Sequence, residues 1–145
     1  SETVEFLKNA VVDFPEPSRI VFELTETEAI KDYQMITTFI KEVKMLGVKI
    51  AIDDFGSGYS NFAYLARFNA DILKIDGTII KEIATDSNSY QITAAINDFA
   101  KRLGMRTVAE FVFNEQTNAI IEALDIDFAQ GYYYAEPLPI EKLSL

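Results

Sequence analysis

Short apolar runs alternate along the chain with longer amphipathic segments, and this alternation predicts strands and helices in turn. Strands are predicted at residues 19–24, 48–53, 71–75, 106–110 and 127–130. Helices are predicted at residues 2–12, 28–46, 60–68, 87–103 and 115–124, with a single turn at 78–84 and a short helix after Pro139. Strands separated by helices of this length predict an α/β fold with a parallel sheet and the helices outside it.

Polar side chains stand at or near the C-terminal ends of the predicted strands. Glu23, Asp53, Lys74 and Glu110 each lie two positions after a small or β-branched residue and share a sheet face with it. Gln130 ends the last strand and completes the row. Parallel α/β proteins form their active sites at this edge, whether the sheet is open or closed into a barrel. The pattern therefore predicts a polar site at the carboxyl edge of the sheet.

Two adjacent carboxylates, Asp53 and Asp54, open the glycine-rich segment at residues 55–60. Adjacent carboxylates repel each other and gain most from a bound cation. Lys74 has apolar neighbours, so it is either an edge residue whose ammonium reaches solvent or a buried ammonium held by carboxylates. Carboxylates and an ammonium gathered at strand ends predict a divalent-metal site that acts on phosphate.

Composition restricts the classes of function. The chain has 145 residues, 49% of them hydrophobic, which is enough for the core of one domain. Its net charge of −10 disfavours a DNA or RNA polymer as partner, so an anionic substrate needs a metal or a local cation. Cysteine is absent, and no apolar run approaches the roughly 20 residues that span a bilayer. We therefore expect this domain to lie in the cytoplasm. This expectation is compatible with a parent protein that is tethered to the membrane.

The order of the polar residues argues against two other α/β folds. A phosphoacceptor receiver domain also holds magnesium with an aspartate pair and a lysine, but there the pair ends the first strand and the lysine ends the last. Here the pair follows the strand that carries Glu23, and Lys74 comes only one strand later. A dinucleotide-binding glycine fingerprint fails because residue 61 is asparagine where the third glycine would stand.

Five segments resemble the successive motifs of the EAL domain, a bacterial family of phosphodiesterases that act on the second messenger cyclic di-GMP. They are Phe22-Glu23-Leu24-Thr25-Glu26, Ile52-Asp53-Asp54-Phe55-Gly56-Ser57-Gly58-Tyr59-Ser60, Leu73-Lys74-Ile75-Asp76, Val108-Ala109-Glu110 and Gln130-Gly131-Tyr132. The resemblance implies a modified TIM-type (β/α)8 barrel, of which this chain holds about five β/α units. Residues 1–145 are thus expected to form a partial EAL domain, the C-terminal part of the barrel.

The resemblance implies a role for each polar residue at the strand ends. Glu23, Asp53 and Glu110 resemble ligands of a magnesium or manganese ion, and Asp54 resembles the ligand of a second ion. Lys74 resembles the catalytic residue that positions the attacking water and balances charge. Glu110 is a second catalytic candidate as a general base, although a carboxylate that binds metal is a poor base.

Two more residues complete the site that the resemblance implies. Glu26 resembles an anchor that holds the loop after Asp54 in a shape that can bind metal. Gln130 resembles a residue near the second metal and its water. The implied reaction is hydrolysis of one phosphodiester bond of cyclic di-GMP, which gives linear pGpG.

Departures from the family pattern bear on activity. The Glu-Ala-Leu segment, an arginine beyond it and an asparagine ligand belong before Ser1, so this chain alone is expected to bind metal weakly and to hydrolyse little. Phe111 and Phe113 replace a glycine and a second acid, and Glu136 replaces a lysine. An alternative therefore stays open, in which a degenerate EAL domain acts as a non-catalytic cyclic di-GMP receptor or a partner-binding module.

A partial barrel also predicts partners. A sheet that lacks about three strands has unpaired edges and an uncovered interior, lined here by Val21, Ala51, Ile72 and Val108. Such surfaces recruit other chains, so we expect a homo-oligomer. The parent protein is expected to be fused to a diguanylate cyclase-like or sensor domain.

Overall fold

The computed structural model describes residues 2–58 and 62–143. Its α-helices are α1 (Glu2–Val12), α2 (Glu26–Lys31), α3 (Tyr33–Met45), α4 (Phe62–Phe68), α5 (Gly77–Glu82), α6 (Ser87–Arg102) and α7 (Glu115–Ala123). Its strands are β1 (Val21–Thr25), β2 (Lys49–Phe55), β3 (Ile72–Ile75), β4 (Arg106–Ala109) and β5 (Phe128–Ala129). Short 3₁₀ helices span Pro17–Arg19 and Ile140–Lys142.

The strands form one parallel sheet in the order β1-β2-β3-β4-β5. Each pair of neighbouring strands is joined by at least one helix, which is the arrangement of the wall of a (β/α) barrel. The register sets Glu23 beside Ala51 and Lys74 beside Val108, so the predicted site residues lie on neighbouring strands. The predicted α/β fold with five parallel strands is confirmed.

Branched aliphatic side chains form the core behind the site. Ile50, Ile52, Leu73 and Ile75 alternate with the site-facing residues of β2 and β3 and are fully buried. The helices add side chains to the same core, among them Val43, Ile80, Ile96, Ala100 and Ile121. The carboxyl ends of the strands therefore project from a tightly packed base, which limits the movement of the side chains they carry.

The predicted helix at 28–46 is wrong in one respect, because it is divided into α2 and α3. Asp32 stands between them with φ −131° and ψ 66°, and its side chain accepts a hydrogen bond from the Met35 amide at 3.2 Å. An aspartate that competes in this way for a backbone amide starts a new helix. Thr25 caps α2 in the same way, through the Glu28 amide at 3.4 Å.

Two strand boundaries and one helix start also differ from the prediction. The first strand begins at Val21 instead of residue 19, because the 3₁₀ helix that starts at Pro17 extends through Arg19. The fifth is limited to Phe128–Ala129. The helix predicted from residue 60 is observed as Phe62–Phe68, and residues 60 and 61 lie outside the described part. Within the described ranges, no helix is long and apolar enough to span a bilayer.

Candidate metal centre

An extra residue in β2 brings Asp53 and Asp54 to the same site. Residues 52–55 of β2 occupy the same length of the sheet as residues 73–75 of β3, which is a β-bulge. Asp54 has a left-handed backbone, with φ +57°. Neighbours in a regular strand point to opposite faces, yet one carboxylate oxygen from each aspartate and one from Glu110 lie within 4.8 Å of one another. The alternation of residues in the sequence did not predict this convergence.

Lys74 lies at the centre of the cluster. Its Nζ is 3.0 Å from Oδ1 of Asp53, 3.0 Å from Oε1 of Glu110 and 3.2 Å from Oε2 of Glu23. Residues on β1 and β2 and just after β4 thus converge on an ammonium from β3 that is only 8% exposed. Of the two alternatives that the sequence left open, Lys74 is the buried ammonium held by carboxylates.

The pKa values of Lys74 and Glu110 are both shifted by burial and by the charges that surround them in the cluster. Burial alone would lower the pKa of Lys74, but its hydrogen bonds to Glu110, Asp53 and Glu23 and the charge of Glu110 outweigh burial and raise that pKa. Burial raises the pKa of Glu110, and the charges of Asp53 and Asp54 raise it further, although Lys74 opposes them. The cluster therefore holds more negative charge than its one ammonium balances.

Asp54 completes the donor set for a cation. Burial raises the pKa of Asp54, the neighbouring charges of Asp53 and Asp76 add to the shift, and Lys74 opposes it. Its backbone amide donates to Oδ1 of Asp53 at 3.0 Å, which fixes the two aspartates relative to each other. Carboxylate oxygens with surplus negative charge are suited to a hard divalent cation such as magnesium, manganese or calcium, so Asp53, Asp54 and Glu110 fit such an ion.

Asp76 is a residue to which the sequence analysis assigned no role. It is buried directly after β3, and its Oδ1 accepts a hydrogen bond from the Thr78 amide at 2.8 Å, which caps α5. Its charge also acts on Asp54. The available signal was its position two residues after Lys74 at the end of a buried strand. Asp76 thus adds negative potential on the Asp54 side of the cluster.

Gln130 is held at the edge of the site by backbone contacts on both sides. Its amide donates to the Ala109 carbonyl at 2.8 Å, and its own carbonyl accepts from the Val112 amide at 3.0 Å. The next residue, Gly131, approaches Val112 so closely that a Cβ there would lie 2.0 Å from the Val112 carbonyl oxygen. The close approach of these two backbone segments requires glycine at residue 131. Gln130 lines the same cavity as Glu110.

Glu23 and Glu26 lie on the outer strand of the site. The Glu23 side chain is half-exposed and reaches Lys74, so the structure brings it into the cluster. Glu26 begins α2 immediately after β1. The loop that Glu26 is predicted to anchor includes residues 59 and 60, which fall outside the described ranges. The anchor role of Glu26 therefore stays a prediction.

Comparison with known proteins identifies the family. Residues 1–137 match the family model of the EAL domain. The chain belongs to the EAL domain family. The resemblance inferred from the five motifs is confirmed. This EAL chain is 41% identical over 122 residues to cyclic di-GMP phosphodiesterase PdeF of Escherichia coli K12, a match that covers 84% of the chain and 16% of PdeF. It is 36% identical over 138 residues to cyclic di-GMP phosphodiesterase PdeB of Shewanella oneidensis, covering 94% of the chain and 16% of PdeB.

Solved structures support the same assignment of the EAL fold. A PaMucR phosphodiesterase in complex with c-di-GMP matches with a TM-score of 0.90 and 36% identity, covering 97% of this chain and 57% of that one. A Klebsiella pneumoniae BlrP1 complex with manganese and cyclic di-GMP matches with a TM-score of 0.85 and 29% identity, covering 94% of this chain and 35% of that one. The expected EAL-type barrel fold is thereby confirmed for the part present. The chain spans only 16–20% of the length of the first curated relatives.

Proposed function

We propose that this EAL chain is part of a bacterial signalling phosphodiesterase that hydrolyses cyclic di-GMP to linear pGpG. The convergence of Glu23, Asp53 and Glu110 on Lys74, with Asp54 alongside, carries the proposal. Surplus carboxylate charge at the carboxyl edge of a parallel sheet suits a site in which cations hold a phosphodiester. The names of PdeF and PdeB and the cyclic di-GMP complexes of EAL relatives support this substrate.

We propose magnesium or manganese as the cofactor, with two ions in the complete site. Glu23, Asp53 and Glu110 are the candidate ligands of the first ion and Asp54 is that of the second, with Gln130 nearby. BlrP1 forms complexes with cyclic di-GMP that contain calcium or manganese, which supports a divalent cation at this site. Bound cations would supply neutralisation of the phosphate charge and activation of water.

The side chains of the cluster have distinct roles in this proposal. The raised pKa of Lys74 keeps its ammonium charged, and the three N–H groups of Nζ hold Glu110, Asp53 and Glu23 in position. A water or phosphate oxygen would accept a hydrogen bond from Nζ in place of one of these carboxylates. Glu110 serves as a metal ligand in this proposal, because a carboxylate that binds metal is a poor general base. Glu26 is proposed to anchor the loop that follows Asp54.

Phosphodiesterase activity is tested on the full-length protein. We expect hydrolysis of cyclic di-GMP to pGpG, followed by chromatography, only when magnesium or manganese is present. Removal of the metal with a chelator should abolish hydrolysis, and metal added in excess should restore it. Calcium serves as a comparison, because a calcium complex with cyclic di-GMP is known for BlrP1.

A non-catalytic receptor is the second candidate function, favoured by Phe111 and Phe113 beside Glu110 and by Glu136. Tight binding of cyclic di-GMP without hydrolysis at saturating metal would support the receptor and contradict the enzyme. Absence of both binding and hydrolysis would contradict both and favour a partner-binding module.

The setting of the domain is also a proposal. We propose that residues 1–145 form the C-terminal part of an EAL barrel whose parent protein carries a diguanylate cyclase-like or sensor domain. The chain is 36% identical over 141 residues to a bifunctional diguanylate cyclase/cyclic di-GMP phosphodiesterase, MucR of Pseudomonas aeruginosa, and covers 21% of it. A cytoplasmic location is proposed because the cysteine-free sequence suits a reducing compartment.

We propose that the 145-residue chain forms a homo-oligomer when it is expressed alone. Among the described residues, β1 and β5 each pair on one side only, and Val21 and Phe128 expose apolar surface on these two strands. Ala51 is buried, so the interior is less exposed than the sequence suggested. Light scattering at low micromolar concentration should give a mass above 16.4 kDa. A stable monomer with sharp cooperative unfolding would contradict the proposal.

A further inference from the structure

Phe111 holds an exposed ring in a fixed place beside Glu110. The side chain is 57% exposed, and its backbone has φ +55°, a region that bulky residues rarely adopt. The ring lies against Gly77 of α5, where a Cβ would be 2.0 Å from Cδ2 of Phe111. Lys81 places its Nζ 4.5 Å from the ring centroid. Gly77 and Lys81 of α5 thus hold the ring in position, with the Lys81 ammonium over the ring, while more than half of the side chain stays exposed.

The ring belongs to an aromatic cavity that adjoins the candidate metal centre. Phe111, Phe113 and Tyr132, all more than half exposed, line a cavity of about 500 Å³ together with Glu110 and Gln130. This volume is in the range of small-molecule sites, and aromatic rings are typical linings for such sites. Glu110 lines the cavity and also contacts Lys74, so the cavity and the cluster share a wall.

Packing within the fold does not account for the exposed ring. Phe55 and Phe68 have buried rings that contribute to the core, whereas most of the Phe111 ring remains in contact with solvent. A left-handed backbone at a residue other than glycine is strained and persists where the surroundings impose it, often at functional sites. Phe111 therefore combines two destabilising features, exposure and strain, at the border of the site.

We propose that Phe111 is a substrate-binding residue whose ring stacks on one guanine base of cyclic di-GMP. The stacked base would place the adjoining phosphodiester at Asp53, Asp54 and Glu110. This inference rests on the proposed function, because it takes cyclic di-GMP as the substrate. Every nucleobase has a flat π-face, and aromatic stacking changes affinity by about 5-fold to 150-fold per base. The ammonium of Lys81 also suits an anionic ligand.

The first test changes the ring and keeps its apolar bulk. Phe111→Leu in the full-length protein should raise KM, and Kd measured with calcium, about 10-fold. Phe111→Tyr should resemble wild type. Stacking acts equally before and during the reaction, so kcat should change little. Phe6→Leu is the matched control, because Phe6 is an exposed phenylalanine on α1 outside the cavity. An unchanged Kd in Phe111→Leu would overturn the inference.

The second test moves the ring without removing it. Gly77→Ala adds a methyl group whose nearest neighbours are all atoms of Phe111, at a helical position that accepts alanine. We expect it to raise Kd for cyclic di-GMP as Phe111→Leu does. In a Phe111→Gly background the same alanine should have no further effect. Independent, additive losses would overturn the inference, and thermal unfolding checks that each variant is folded.

A spectroscopic test separates stacking from a structural role. The chain has no tryptophan, so Phe111→Trp introduces a fluorophore at the proposed stacking position. Cyclic di-GMP should quench this fluorescence but not that of Phe6→Trp. Normal binding and hydrolysis by wild type with no quenching would overturn the stacking role and leave the phosphodiesterase intact. Failure of wild type to bind cyclic di-GMP would overturn the proposed function and this inference together.

Discussion

Replacing Glu110 by glutamine is expected to reduce the turnover of cyclic di-GMP by about 10²–10³-fold, the usual cost of removing one preorganised electrostatic group. Glutamine keeps the size of the side chain but lacks the negative charge that would bind a cation. Asp53→Asn should have a similar effect for the same reason. The measurement is kcat of the full-length protein at saturating magnesium or manganese.

The control for these variants is Asp98→Asn, which removes one carboxylate charge from the exposed surface of α6. Its turnover should match that of wild type. Thermal unfolding should show that Glu110→Gln and Asp53→Asn are folded. If either variant kept turnover within a few-fold of wild type, its carboxylate would not be a metal ligand.

Replacing Lys74 by methionine is expected to lower the turnover of cyclic di-GMP about as much as Glu110→Gln does. In the absence of metal it should also destabilise the folded protein. Methionine leaves Glu23, Asp53 and Glu110 without the ammonium that balances them. Breaking a buried ion pair costs about 3–5 kcal/mol, and the low end applies because Glu23 is half-exposed. Lys101→Met is the control, because its ion pair with Asp125 lies on the surface.

Added metal and lower pH should each reduce the loss of stability that Lys74→Met causes. Manganese should raise the unfolding temperature of the variant more than that of wild type, because a bound cation replaces the missing charge. Lower pH should also reduce the loss. The pKa of Glu110 is already raised and would rise further without Lys74, so its carboxyl group would take up a proton. Equal responses of variant and wild type to manganese would argue against a metal site in this cluster.

Local sequence patterns were sufficient to predict most elements and the location of the site. The predicted helix at residues 2–12 is α1, and strand-end residues such as Lys74 and Glu110 come together as expected. The physical reason is that strand alternation and the shared edge of parallel strands depend only on nearby residues. The helix break at Asp32 was missed because apolar periodicity continues through it, and only its capping geometry reveals it.

By itself, the sequence determined the α/β class, the row of polar residues at the carboxyl edge and the excess of carboxylates over ammonium groups. The tertiary structure alone decided how Asp53 and Asp54 both face Glu110, because a bulge depends on the register between β2 and β3. It also decided that the Lys74 ammonium is buried, because three carboxylates from separate segments must meet around it. The packing of the Phe111 ring against Gly77 likewise depends on a contact between residues 34 positions apart in sequence, which no local pattern encodes.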